Sequence, residues 1–153
     1  MLDEKLYKLM DEKKVNYIGI DIDQKKDLVI AYINAKILFP DAKIDVFKSS
    51  SGNGFHIKIW KSVSFFDDLC IRCQLFDDAA RIAISMRRFI QNPEDMYFDV
   101  LFDKKNGVNV IKYEVEDIIK EEDIEFIEKY SKEKNFDVIR ERIMFLEAKI
   151  EKC

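Results

Sequence analysis

Apolar positions along this chain switch between helical and strand spacing, and each switch marks the boundary of a predicted element. Apolar residues three and four positions apart indicate helices, whereas alternation or a short apolar run indicates a strand. Pro40 ends the second helical stretch, and Ser64 is of a residue type that commonly begins a helix. The pattern predicts, in order, a helix over 3–13, a strand over 15–23, a helix over 24–38, strands over 43–48 and 55–60, and a helix over 64–76.

The next segment, residues 77–89, fits two different structures. It could form a helix capped at its first residues, or a loop followed by a strand. Ile82, Ile84 and Met86 would share one face of a strand, and this clean alternation favours the strand.

The rest of the chain predicts a hairpin and two helices. Apolar segments at 97–102 and 108–114 flank the strong turn signal Asn106-Gly107, so we expect a second β-hairpin there. Charged segments with a helical apolar repeat follow over 116–152 and are broken near Asn135. This order of elements predicts an α+β fold with a mostly antiparallel sheet, flanking helices and a C-terminal helical pair.

Composition limits the classes of protein that need considering. At 153 residues the chain is long enough for one domain with its own core, and we expect a single domain over 1–153. The net charge of −4 excludes a general attraction for nucleic acid, so any such binding requires a local basic patch. The first residues are charged, and no apolar run reaches the roughly 18 residues that a membrane span needs. We therefore expect a cytoplasmic, intracellular protein without a membrane partner.

The cysteines do not indicate a disulfide framework or a zinc site. Cys70 and Cys73 form a CxxC pair, but no second pair and no nearby histidine completes a zinc site. The sequence around them has the pattern of a helix face, and we expect buried structural thiols.

Two carboxylates follow the first buried strand with one residue between them. In Tyr17-Ile-Gly-Ile-Asp-Ile-Asp23, side chains alternate between the faces of the strand, so Asp21 and Asp23 point the same way. Neighbouring carboxylates repel each other unless a cation lies between them. The pair therefore predicts a site for Mg²⁺ or Mn²⁺, the ions that such oxygen ligands prefer.

A second candidate site lies in the turn between the two central strands. Ser51, Gly52, Asn53 and Gly54 are small residues whose backbone N–H groups could approach a phosphate closely. The strand that follows carries His56, the only histidine of the chain. These four small residues are also the ones that ordinary hairpin turns prefer, so both interpretations remain open.

Taken in order, these two stretches resemble the catalytic core of the archaeo-eukaryotic primase superfamily, which includes plasmid and viral primase–polymerases. Ile18-Gly-Ile-Asp-Ile-Asp23 is similar to the first motif of that family, an apolar strand ending in DxD or DxE. Ser51-Gly-Asn-Gly-Phe-His56 is similar to the second motif, a small-residue turn followed by a strand with histidine. The resemblance spans residues 15–114 and implies an RRM-like core, with residues 115–153 as added helices.

The third motif of that family is an apolar strand that delivers an aspartate. Asp78 and Asp99 are the two candidates, and the prediction favours Asp78. Ser85 lies where an apolar strand over 82–84 would deliver an acid, and it is not one. If that is the true position, the third ligand is missing.

The resemblance implies a role for each matched residue. Asp21, Asp23 and Asp78 would hold Mg²⁺ or Mn²⁺, and His56 would hydrogen-bond a phosphate oxygen of the nucleotide. The expected nucleotide-binding residues are Ser51, Gly52, Asn53, Gly54, His56, Lys58 and Arg81. The basic residues that could contact a nucleic-acid backbone are Arg87, Arg88, Lys104 and Lys105.

The implied function is a nucleotidyltransferase that makes or extends primers on single-stranded DNA. Its expected partners are nucleoside triphosphates, a single-stranded DNA template, and a helicase or another replication protein. Two alternatives remain open at this point. One is a catalytically weak or inactive primase-like module that binds nucleotides or nucleic acid, and the other is a metal-dependent nuclease.

Overall fold

The computed structural model describes residues 4–49, 54–93, 104–105, 108–109 and 111–151. The helices are α1 (Glu4–Glu12), α2 (Lys25–Leu38), α3 (Phe65–Gln74), α4 (Ala79–Gln91), α5 (Glu121–Lys132) and α6 (Phe136–Glu151), with a 3-10 turn at Val115–Asp117. The strands are β1 (Lys14–Val15), β2 (Ile18–Ile22), β3 (Lys43–Lys48), β4 (Phe55–Trp60), β5 (Val63–Ser64), β6 (Lys104–Lys105), β7 (Val108–Asn109) and β8 (Ile111–Tyr113).

The central feature is a four-stranded antiparallel sheet with the strand order β2-β4-β3-β8. Its register places Ile20 opposite Ile57, Ile57 opposite Val46, and Val46 opposite Tyr113. Side chains directly opposite each other lie on the same face, so this row and its neighbours form one apolar face of the sheet. Two short two-stranded pairs, β1 with β5 and β6 with β7, lie outside this sheet.

The larger of two hydrophobic clusters covers the apolar face. Strand residues meet the buried side of α2, which contributes Leu28, Val29 and Ile33, and the last two helices close the cluster from outside. Isoleucine and valine suit a strand buried on one face, because their branched side chains pack well on the pleated surface. The buried apolar residues that α5 and α6 contribute to this cluster are Ile124, Ile127, Leu146 and Ile150.

A smaller cluster joins α1, α3 and α4. The rings of Phe65 and Phe89 stack with their centroids 4.8 Å apart, and Met10 and Leu69 complete the buried part. Ser64 begins α3 as predicted, since its hydroxyl accepts a hydrogen bond from the N–H of Asp67 at 3.1 Å.

The preference for a strand within 77–89 is wrong, because helix α4 covers this segment from Ala79 onward. Ile82, Met86 and Phe89 are spaced four and three residues apart, and they turn together toward the smaller cluster. Ile84, the residue that completed the alternating pattern, is 45% exposed. A short stretch of alternating apolar residues thus coincided with a helical repeat, and the partner cluster decided between the two.

Other predictions are confirmed or lie partly outside the described residues. The α+β class with antiparallel strands is confirmed, and strands 43–48 and 55–60 have the predicted bounds. The predicted strand 15–23 is divided into β1 and β2. Strands β6 and β7 pair on either side of 106–107, whereas residues 97–102 lie outside the described part.

The RRM-like arrangement is not confirmed. No helix among the described residues is long and apolar enough to span a membrane.

Tyr32 of α2 provides a test of the larger core through pH. Burial, together with the nearby charges of Glu116 and Glu121, raises the pKa of Tyr32 from 10.0 to about 12. The folded protein therefore keeps a phenol proton that the unfolded chain releases, and stability should fall as pH rises from about 10 to about 12. We expect Tyr32→Phe to weaken this alkaline loss, measured as the urea midpoint between pH 8 and 11.5.

Tyr7→Phe is the matched control, because Tyr7 lies exposed on α1. It should reproduce the wild-type pH dependence. Identical alkaline loss in the Tyr32 variant and the wild type would contradict the prediction.

Candidate functional site

The second face of the sheet carries polar and charged side chains, because alternation turns them away from the apolar core. The register places Asp21 opposite His56, His56 opposite Phe47, and Phe47 opposite Lys112. The next row contains Gly19, Lys58 and Asp45. We call these rows, with Trp60 and Lys43 at the far end of β4 and β3, the polar face.

Asp21 and His56 form the closest contact at one end of the polar face. The Nε2 atom of His56 lies 3.3 Å from Oδ1 of Asp21, and both side chains are largely buried. A carboxylate at this distance can accept a hydrogen bond from the imidazole N–H and so fix the orientation of the ring. The first and second motifs, far apart in sequence, therefore meet side by side on neighbouring strands.

The chain leaves β3 and enters β4 at this same end of the sheet. Ser49 and Gly54 are joined by two hydrogen bonds, in which Ser49 N–H donates to the Gly54 carbonyl at 2.9 Å and Gly54 N–H donates to the Ser49 hydroxyl at 3.1 Å. A Cβ at Gly54 would lie 2.8 Å from the carbonyl oxygen of Ile22. Glycine is thus required here for the close approach to β2. Ser51, Gly52 and Asn53, which were expected to surround a phosphate, lie outside the described residues.

The expected metal ligands do not form a three-residue group. Asp23 follows the end of β2 and is exposed, whereas Asp78 caps α4 by accepting a hydrogen bond from Ala80 N–H at 2.7 Å. Within residues 4–49, 54–93 and 111–150, no three His, Cys, Asp or Glu side chains are arranged to hold a metal ion. Asp21 and Asp23 therefore supply at most part of such a site. Ser85, the other position considered, is buried and accepts a hydrogen bond from Arg72 at 3.1 Å.

Asp77, which the sequence did not single out, is the acidic residue that contacts β2. Its side chain is fully buried, and one oxygen accepts a hydrogen bond from the backbone N–H of Asp21 at 2.8 Å. The other oxygen accepts from Arg72 Nε at 2.7 Å, and Arg81 pairs with the first. Two guanidinium groups and one backbone donor thus occupy this carboxylate, which excludes it as a metal ligand in this arrangement.

Arg81 extends the same contact along the free edge of β2. Its guanidinium also reaches the carbonyl oxygen of Gly19 at 3.4 Å, two residues before Asp21. Alternate residues of a strand direct their backbone N–H and C=O groups to the same side, so Gly19 and Asp21 both direct theirs to the free edge of β2. Such groups are costly to bury without hydrogen-bond partners. Arg81, predicted to bind phosphate, therefore contacts the sheet edge and Asp77.

Lys58, the other expected phosphate ligand on the sheet, is enclosed by aromatic rings. Its ammonium group lies 4.2 Å from the ring centroid of Tyr17 and 4.4 Å from that of Trp60. A cation over aromatic faces is stabilised by their quadrupoles. The ammonium group of Lys58 is therefore occupied by these two rings, and no contact among the described residues directs it toward the end of the sheet where a phosphate was expected. The basic residues Arg87 and Arg88 are exposed on α4, whereas the side chains of Lys104 and Lys105 lie outside the described part.

Asp45 contacts three neighbouring side chains at the far end of the polar face. It accepts a hydrogen bond from Trp60 Nε1 at 2.9 Å, and Lys112 and Lys43 lie 3.4 and 3.7 Å from its oxygens. Burial alone would raise the pKa of Asp45, but the hydrogen bond from Trp60 and the charges of Lys112 and Lys43 outweigh it. The pKa therefore lies below its ordinary value.

The expectation of buried thiols is wrong, because Cys70 and Cys73 are exposed on α3. The pattern that predicted a helix face was right about the helix and wrong about which side faces the core. Partial burial, with Cys73 and Asp67 nearby, raises the pKa of the Cys70 thiol. A raised pKa reduces the thiolate fraction and speaks against a reactive cysteine.

The contact between Gly54 and β2 predicts the effect of adding one methyl group. Because the obstructing atom is a backbone oxygen of the central sheet, we expect Gly54→Ala to destabilise the protein by about 1–3 kcal/mol. Urea unfolding measures this loss. Unchanged stability combined with lost nucleotide binding would instead assign Gly54 to the approach of a phosphate.

The adjacent residues Asp77 and Asp78 provide a matched pair of substitutions. Asp77→Ala leaves two buried or half-buried arginines without their shared carboxylate and should cost about 3–5 kcal/mol. Asp78→Ala removes only a helix cap and should cost about 1 kcal/mol. Denaturant midpoints compare the two variants directly, and equal losses would contradict the proposed division of roles.

In comparisons with protein-family models, with curated proteins and with solved structures, this chain has no match.

Proposed function

We propose that the chain is a metal-dependent nucleotidyltransferase of the primase–polymerase type, which makes or extends primers on single-stranded DNA. The single observation that carries the proposal is the register of Asp21 opposite His56 on neighbouring strands. The DxD and the small-residue turn with histidine were expected to act on one nucleotide, and this requires that they lie together. In the proposal, β2, α2, β3 and β4 correspond to the first half of the family's RRM-like core.

The residues at this end of the sheet have complementary tasks in the proposal. His56 Nε2, the ring nitrogen beside Asp21, would donate its N–H to a phosphate oxygen of the nucleotide, with Asp21 as the neighbouring acceptor when no nucleotide is bound. In the proposal, residues 50–53 receive the triphosphate, and the hydrogen-bonded residues Ser49 and Gly54 flank them. Asp21 and Asp23 would contribute oxygen ligands to Mg²⁺ or Mn²⁺, which supplies charge neutralisation at the phosphates.

The third acid of the proposed site is Asp99. The sequence left Asp78 and Asp99 open, and Asp78 serves as the cap of α4. Asp99 lies outside the described residues, so its assignment depends on the sequence motif alone. We therefore expect that removing the charge of Asp99 abolishes turnover and that removing the charge of Asp78 does not.

A second candidate is a primase-like binding module without turnover. It is favoured by the lack of a three-residue metal group among the described side chains. This candidate retains nucleotide or nucleic-acid binding at the Asp21–His56 end. It differs from the first in one measurable respect, which is that no phosphodiester bond is formed.

Primer synthesis and extension on single-stranded DNA, with labelled nucleotides and Mn²⁺ or Mg²⁺, tests the proposal. We expect the wild type to form product. The rate should fall about 100-fold or more in Asp21→Asn, Asp23→Asn and Asp99→Asn, because each variant loses a proposed metal ligand. Asp78→Asn is the matched control, since asparagine caps a helix about as well as aspartate. Its rate should stay within about threefold of the wild type.

Three other outcomes of this assay would each indicate a different function or site. Metal-dependent nucleotide binding without product, lost in His56→Ala, would favour the binding module. Shortening of the labelled oligonucleotide would indicate a nuclease. Product that persists in Asp21→Asn would overturn the proposed site.

A further inference from the structure

Trp60 is the only tryptophan of the chain, and it is 42% exposed at the end of β4. Most large aromatic side chains are largely buried on folding, because a ring carries much of the apolar area available to a core. Trp60 belongs to neither hydrophobic cluster. An exposed indole on the same face as the candidate site therefore requires a further explanation.

The indole is nevertheless held in a fixed position. Its Nε1–H donates to Asp45 at 2.9 Å, and its ring lies 5.6 Å from the ring of Tyr17, tilted by 55°. The Lys58 ammonium lies over it at 4.4 Å. A hydrogen bond, an aromatic neighbour and a cation thus restrain the ring while 42% of the residue stays exposed. The restrained ring loses little further entropy when a planar ligand stacks on it.

The charges beside Trp60 favour an anionic ligand. Lys61 follows it in the chain and is exposed, and Lys43, opposite it on β3, is also exposed. Asp45 is the carboxylate in contact with the indole, and its charge is balanced by Lys43 and Lys112. The chain has a net charge of −4, so this group of lysines is a local exception of the kind that nucleic-acid binding requires.

The position of Trp60 relative to His56 matches the course of a strand of nucleic acid. The two residues lie on the same face of β4, four positions apart, with Lys58 between them. At about 3.3 Å per residue this separation is about 13 Å, a distance that about four stacked nucleotides span. A single strand lying along β4 would thus contact Trp60 while its other end lies near His56.

We propose that Trp60 is a stacking platform for a base of single-stranded nucleic acid, with Lys43 and Lys61 contacting the neighbouring phosphates. The inference rests on the proposed function in taking the strand to be the template. The stacking itself does not depend on metal, nucleotide or turnover. Aromatic stacking beside a basic track is the common way in which proteins bind single strands without reading their sequence.

The lone tryptophan allows a direct test, because all indole emission comes from Trp60. We would titrate the full chain with a 12-nucleotide oligothymidylate at low salt, with EDTA present so that no metal chemistry takes place. Stacking should quench the emission saturably. An abasic oligonucleotide of the same length keeps the phosphates and lacks the bases, so it should bind more weakly and leave the emission nearly unchanged.

Variants measure the contribution of the ring, with binding followed by anisotropy of a labelled oligonucleotide. We expect Trp60→Leu to raise the Kd about 5- to 150-fold and Trp60→Tyr, which retains a ring, to recover part of the loss. Phe136→Leu is the matched control, since Phe136 is 64% exposed on α6 and lies outside the polar face. Its Kd should equal that of the wild type.

The outcomes separate this inference from the proposed nucleotidyltransferase. Quenching by the oligothymidylate alone would support the platform even if no primer is extended. Equal binding of the abasic and the base-containing oligonucleotides, or an unchanged Kd in Trp60→Leu, would overturn it even if extension succeeds. The abasic comparison uses the wild-type protein, so a variant that fails to fold would not prevent the test.

Discussion

The buried carboxylate of Asp77 is the interaction on which the arrangement of this protein depends. It joins the backbone of Asp21 in β2 to Arg72 in α3 and Arg81 in α4. A charge without access to water is tolerated only where partners compensate it, so the three elements must keep their positions together. Arg81 also contacts the Gly19 carbonyl and thereby covers the free edge of β2. The sheet therefore ends at β2, and its polar face keeps the Asp21–His56 contact at one end.

The same interaction explains the different roles of two adjacent acids. Asp77 points inward to the arginines, while Asp78 turns back to cap the helix that begins after it. Helix α4 could not begin here with both carboxylates turned toward β2, since a capping side chain must face the helix's own first N–H groups. The sequence predicts a metal ligand in this short segment, at Asp78; in the structure Asp77 contacts the edge strand β2 and Asp78 caps α4. The metal part of the proposed function consequently depends on Asp99.

The polar face has two ends with different chemistry. Near His56 the contacts are short and polar, and Ser49 and Gly54 are hydrogen-bonded to each other at the same end of the sheet. Near Trp60 an exposed ring is fixed by Asp45 and flanked by lysines. Lys58 lies between the two ends, and its ammonium group is enclosed by the rings of Tyr17 and Trp60. A strand of nucleic acid along β4 would use both ends at once.

The sequence by itself determined the elements whose periodicity has only one interpretation. Strands 43–48 and 55–60, the Ser64 cap and the break near Asn135 followed from local spacing and residue type, because backbone preferences and capping act over a few residues. Tertiary structure alone decided that 79–89 is helical, that Cys70 and Cys73 face outward, and that Asp77 is the acid beside β2. Each of these depends on what lies opposite the residue. A local pattern fixes a period, whereas only the packed partner fixes which side of that period is buried and which charge is paired.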